Sequence, residues 1–217
     1  MSTMTCPLLS NVSEPAKRFP NPPQDIRPME PRAEVVLSGG CFWCTEAVYR
    51  QLNGVLSVTS GYAGDTAETA NYAAVSGGST NHAEAVRIEY DPSRITFGAI
   101  LKVFFSTAHN PTHLNRQADD VGRHYRSTLF YQTEAQRQAA QAYIAVIDQA
   151  KVFDDPVVTT LEPLTGFYPA EAEFQNYVAL NPEDAYVQKN SLPKVKKTQQ
   201  WFSEALAKSP GKPNRPT

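Results

Sequence analysis

The sequence predicts an α+β fold in a single domain, and three observations carry that prediction. The chain has 217 residues, 41 % of them hydrophobic, which supplies one sizeable core without requiring two. Segments with strand periodicity and segments with helical periodicity follow one another in mixed order. That order favours helices gathered on one side of a sheet of short strands over a doubly wound parallel sheet. No internal repeat interrupts the pattern.

The elements follow in turn. Residues 1–32 hold many of the 17 prolines and lack periodicity, as expected of an arm laid on the surface or left disordered. The folded domain is expected over 33–208, with a tail at 209–217. "EVVLSGG" reads as a short buried strand ending in glycines. "TEAVYRQLNG" places Val48 and Leu52 on one helical face, with Gly54 as terminator. "LSVTSGY" reads as a second strand, followed by a loop of small residues from Ala63 to Asn81. "AEAVRIEYDP" alternates Val86, Ile88 and Tyr90 and stops at Asp91-Pro92. "TFGAILKVFFSTAHNP" sets Phe97, Ile100, Leu101, Phe104 and Phe105 at helical spacing and is closed by Pro111. "RSTLFY" reads as a strand, and "TEAQRQAAQAYIAVID" as a helix opened by Thr133 with Gln136 three residues on. "VVTTLEPL" reads as a strand, "AEAEFQNYVALN" as a short helix and "KVKKTQQWFSEALAKS" as a terminal helix.

Composition narrows the function. Lysine and arginine total 20 against 22 aspartates and glutamates, a net charge of -2, which gives no electrostatic reason to expect nucleic acid or an anionic membrane as partner. No run of about 18 apolar residues is present to span a membrane. Prolines stand in residues 1–24 where a signal peptide needs an apolar core. The expectation is a cytoplasmic monomer. Cys6, Cys41 and Cys44 make an odd number of cysteines in a chain larger than disulfide-framework domains, so a catalytic or transient redox role is expected over structural bridging.

The stretch "SGGCFWCTEA" carries the chemistry. Cys41 follows two glycines and precedes a predicted helix, where unpaired amides and the positive end of the helix dipole favour thiolate over thiol. Cys44 lies three residues on. Helix positions so spaced are neighbours, at a Cα separation of about 5–6 Å that a disulfide can bridge. Three alternatives compete with a redox pair. Both cysteines could be small buried hydrophobes. Zinc needs four ligands, and His82, His109, His113 and His124 supply no second pair at ligand spacing, so no metal is expected. A thioredoxin-like oxidoreductase has the same CxxC at a strand-to-helix turn. Against it stand the apolar pair Phe42 and Trp43 and a downstream polar set of Tyr72, Glu84, Asp120 and Tyr125.

"GCFWCTEAVYRQLNGVLSVTSGYAG", "NYAAVSGGSTNHAEAVRIEYDP", "DDVGRHYRS" and "FYPAEAEFQNY" together resemble the peptide methionine sulfoxide reductases of the A type, in order over about residues 33–185. The resemblance implies a single-domain sandwich with a ferredoxin-like core and extensions, and reduction of methionine S-sulfoxide, free or in proteins, without a cofactor. It assigns Cys41 as nucleophile and Glu84 as the acid that protonates the sulfoxide oxygen, which requires a buried carboxyl of raised pKa. It gives Tyr72 and Tyr125 the role of holding that oxygen. Asp120 organises the cysteine side, and Phe42 and Trp43 wall the substrate methyl. The resulting sulfenic acid at Cys41 needs a second thiol. No cysteine follows Cys44, where many relatives place theirs, so Cys44 is the expected resolver, with Cys6 or an outside thiol as alternatives and thioredoxin as the expected reductant. Phe174 stands where the family usually has histidine. A non-catalytic binding protein on a degenerate reductase fold is the alternative from another class.

Overall fold

The computed structural model describes residues 12–13, 16, 19–26 and 28–207. Cys6 and the tail at 209–217 lie outside the described residues. The chain forms a mixed α/β fold around one six-stranded sheet in the order β7-β6-β1-β3-β2-β8. These strands are β1 (Ala33–Gly39), β2 (Val55–Ala63), β3 (Ala83–Tyr90), β6 (Ser127–Tyr131), β7 (Thr160–Pro163) and β8 (Phe167–Pro169). All neighbours are antiparallel except β6 and β7, which are parallel. Helix α1 (Phe42–Arg50) joins β1 to β2, and β3 then inserts between those two strands.

Strand alternation sorts the side chains. Val35, Leu37, Val86, Ile88 and Tyr90 face the main core, which they share with α1, α3 (Phe97–Val103), α4 (Glu134–Gln149) and Phe202. Val36, Ala63, Ala83, Ala85 and Phe130 form a small second cluster on the opposite face, partly covered by Leu164 and Phe167. The helices thus lie on one side. The described residues of the arm pack onto this helical layer: Val12, Ala16 and Phe19 are buried, Tyr143 donates to the Pro20 carbonyl at 2.8 Å, and Asp25 accepts the Gly98 amide at 2.8 Å.

Several local expectations change. The segment from Ala63 to Asn81 is more than a loop: Asn71 accepts the Ala74 amide and caps α2 (Tyr72–Ser76), an element too short to show periodicity. Helix α3 runs into a π turn, Phe104–Ala108, and stops at extended His109, ahead of Pro111. "AEAEFQNYVALN" is broken in two, a 3-10 turn at Ala172–Phe174 and α5 (Tyr177–Leu180), because Asn176 adopts a left-handed φ of 54° between them. The pair β4 (Arg116–Gln117) and β5 (Asp120–Val121) and the strand β8 are too short to be read from sequence. Helix α6 (Leu192–Trp201) closes the described chain, followed by a 3-10 turn. None of the described helices is long and apolar enough to cross a membrane.

Candidate active site

The turn between β1 and α1 is shaped by Gly40. Its φ is +86°, and a Cβ there would lie 2.6 Å from two side-chain atoms of Gln117. Both the backbone and the packing therefore exclude a side chain. The tight turn delivers Cys41 as the residue immediately before α1, with 6 % of its surface exposed. Cys44, one helical turn on, is fully buried.

Glu84 comes from the start of β3 and is 3 % exposed. Its Oε2 accepts the Phe42 amide at 3.0 Å, which ties the carboxyl to the residue beside Cys41. Burial pushes the Glu84 pKa up to about 8, against the lowering effect of that amide, with the charges of Asp120 and Cys44 adding to the rise. At neutral pH the group is a protonated acid in a dry site.

The same hydrogen bond changes the expectation for the cysteines. Glu84, and not a cysteine sulfur, takes the first amide of α1, and Cys41 makes no side-chain cap. Burial, its hydrogen bond to Cys44 and the charges of Cys44 and Glu84 push the Cys41 thiol up, while Tyr186 opposes the rise. Cys44 is lowered, chiefly by the neighbouring Cys41 thiol. The two sulfurs therefore titrate as one pair.

Tyr72 opens α2 and is 38 % exposed; Tyr125 ends a 3-10 turn, Arg123–Tyr125, and is partly buried. Burial and the charges of Glu84 and Cys41 raise both phenols, so they stand as neutral donors. Asp120, on β5, does not touch a cysteine; its Oδ2 accepts the Tyr186 hydroxyl at 2.5 Å. Tyr186 also lies close enough to Cys41 to affect its ionisation, which links Asp120 to the cysteine side of the site.

Phe42 and Trp43 belong to a larger aromatic group. Phe42 is 1 % exposed and packs on Tyr62, Phe174 and Trp43 at centroid distances of 5.9, 6.0 and 6.3 Å. It is the back of the box. Trp43 is half-buried, stacks on Tyr177 at 3.8 Å and meets Tyr186 edge-on at 5.8 Å. Phe174 links the two sides, 4.6 Å from Tyr72 and 6.0 Å from Trp43. Each such pair adds about 0.5–1.5 kcal/mol beyond the burial of its area.

Two carboxylates that the sequence did not single out hold this box together. Glu171 accepts the Tyr72 amide at 2.9 Å and the Tyr62 hydroxyl at 2.8 Å. Glu46, buried on α1, accepts the Asn176 amide at 2.9 Å and Arg50 Nε at 2.9 Å, fixing the turn that carries Tyr177 to the helix that carries the cysteines. Both stand inside stretches that carry the sequence motifs, while Tyr186 lies in a segment whose pattern gives no signal of a site. The described residues contain no group of three or more His, Cys, Asp or Glu arranged to hold a metal ion.

A dry acid beside a thiol, flanked by two phenol donors and an aromatic box, suits transfer of a proton to an oxygen whose neighbouring atom a thiolate attacks. The family model for peptide methionine sulfoxide reductase matches residues 33–206, and with them the whole of this site. The chain belongs to the peptide methionine sulfoxide reductase family. The reductase is 44 % identical over 199 residues to the peptide methionine sulfoxide reductase MsrA 2 of Synechocystis, covering 90 % of this chain and 93 % of the relative. It is 48 % identical over 170 residues to the MsrA of Haloquadratum walsbyi, covering 78 % and 96 %. In structure it resembles the reduced form of Mxr1 from Saccharomyces cerevisiae, with a TM-score of 0.65 and 30 % identity over 75 % of this chain and 92 % of that one. The reductase is an oxidoreductase that reduces methionine sulfoxide at the expense of thiols.

Proposed function

We propose that the reductase acts on the S epimer of methionine sulfoxide, free or in proteins, with Cys41 as nucleophile and Glu84 as acid. Glu84 protonates the oxygen while Tyr72 and Tyr125 hold it. The Cys41 thiolate attacks sulfur, the oxygen passes to Cys41, and methionine leaves with the electron pair the thiolate supplied. Cys41 remains as sulfenic acid, which Cys44 converts to a disulfide with loss of water. Asp120 orients Tyr186 against Cys41. Trp43, backed by Phe42, walls the methyl site together with Phe174. One observation carries this: the buried Glu84 carboxyl, pushed up to about 8, is bonded to the amide next to Cys41.

A disulfide closed within one helical turn at a strand-to-helix junction suits reopening by a dithiol protein, so thioredoxin is the proposed reductant. The proposed setting is a cytoplasmic monomer with an arm at 1–32, a reductase domain at 33–208 and a tail at 209–217. The order β6-β1-β3-β2, with β3 between the strands joined by α1, supports the ferredoxin-like description of the core.

Turnover measured separately on the two epimers tests the substrate assignment. Activity on S and none on R is expected; equal rates, or activity on R alone, overturn it. Tyr72→Phe and Tyr125→Phe are each expected to slow turnover about tenfold, the loss of one hydrogen bond to a polarised oxygen, and the double variant further. Parent-like kinetics in the double variant remove the oxygen-holding role.

A further inference from the structure

Cys44 meets a second element that the reaction as described does not use. Its Sγ lies 3.1 Å from Ser191 Oγ, and both residues are fully buried. Ser191 ends a π turn, Val187–Ser191, and is the residue before α6. Its backbone is helical, with φ -90° and ψ -51°, so the hydroxyl caps no amide. Its hydroxyl goes to the sulfur. The π turn inserts an extra residue ahead of α6, a device frequent at functional sites. Three residues after Ser191, and so on the same side of the helix, stands half-buried Lys194, whose charge favours the Cys44 thiolate.

We propose that Ser191 and Lys194 activate Cys44 as the resolving thiol, Ser191 by donating its hydroxyl to the thiolate and Lys194 as a positioning charge on the same helix. This rests on the Cys41–Cys44 cycle above. The Cys44 thiolate attacks the sulfenic sulfur of Cys41. The S–S bond forms as the S–O bond breaks, and the oxygen leaves as water after taking one proton from solvent. Cys44 supplies the electron pair of the new S–S bond and the S–O pair leaves with oxygen, so the Cys44 sulfur is oxidised as the Cys41 sulfur is reduced.

The groups facing Cys44 are Cys41 on the turn before α1, Glu84 on β3, Asp120 on β5, Tyr186 before the π turn, Ser191 and Lys194. Cys41, Lys194 and Ser191 favour the thiolate, while burial and Asp120 oppose it, and the net effect lowers Cys44 below an ordinary thiol. Removal of Ser191 or Lys194 should move the ionisation of Cys44 to higher pH.

The test is rapid-quench analysis of reduced protein mixed with one equivalent of methionine S-sulfoxide. Released methionine reports the first step, and loss of alkylatable Cys44 reports closure of the disulfide. Ser191→Ala is expected to close about tenfold more slowly at neutral pH relative to its own methionine release, with the rise in closure rate moved to higher pH. Ser191→Thr should restore most of the rate. Lys194→Gln, at a half-buried position, should shift the profile in the same direction and serves if Ser191→Ala does not fold. Parent-like closure and an unmoved profile in Ser191→Ala or Lys194→Gln overturn the proposal, as does a Thr variant as slow as Ala. If the parent releases methionine but forms no Cys41–Cys44 disulfide, the cycle itself fails and the activation falls with it.

Discussion

Glu84→Gln loses about 10²–10⁴ of the rate at neutral pH while keeping the fold, as expected when a general acid is removed. The amide oxygen of glutamine can still accept the Phe42 amide that Glu84 holds at 3.0 Å, so the start of α1 stays in place. What is lost is the proton. In the parent the acid form is required, and its pKa is raised to about 8. The group is protonated below that pH and loses activity as pH rises through it. The parent rate should fall across this range, whereas Glu84→Gln should be slow throughout and lack that limb. A variant with parent-like turnover, or a parent limb that survives the substitution, would remove Glu84 from the acid role.

The two cysteines should separate cleanly. Cys41→Ser is expected to abolish even one turnover, because a hydroxyl at this position is neither ionised nor soft enough to attack sulfur. Cys44→Ser is expected to retain the first turnover, releasing one methionine per chain, and then to stop cycling with thioredoxin, since among the described residues Cys44 is the other free cysteine. Serine at position 44 can still bond Ser191, so the buried contact at 3.1 Å is replaced and not orphaned. Steady-state assays with a thioredoxin system, set against single-turnover methionine release, measure the difference. Equal cycling by Cys44→Ser and parent would assign resolution to Cys6 or to an external thiol.

Elements with a long run of one period were legible from sequence. β3 shows its alternation in Val86, Ile88 and Tyr90, and α4 has both its Thr133 cap and its buried stripe. In α4, however, Gln136 reaches back to the Gln132 amide instead of that of Thr133. α2 and α5 have too few residues for a period to emerge, and a left-handed Asn176 breaks what reads as one helix. The core of the site was legible because Gly39-Gly40-Cys41 sits at a strand-to-helix joint and Glu84 opens a buried strand. The helix-start effect on Cys41 was not, because only the tertiary structure places Glu84 on the amide that the sulfur would otherwise share. Tyr186 and Ser191 were missed for a similar reason. They stand more than a hundred residues from Cys41 and Cys44 in a segment without periodicity, and what gives them meaning is which buried side chains they meet.

The central claim is that Cys41 attacks and Cys44 resolves. Mass spectrometry of the reduced protein after one equivalent of methionine S-sulfoxide, with a sulfenic-acid trap present, tests it most directly. A disulfide joining Cys41 to Cys44 is expected in the parent, and a trapped adduct on Cys41 in Cys44→Ser. A disulfide to Cys6, or a Cys44→Ser protein that forms no trapped adduct yet keeps cycling with thioredoxin at the parent rate, would contradict it.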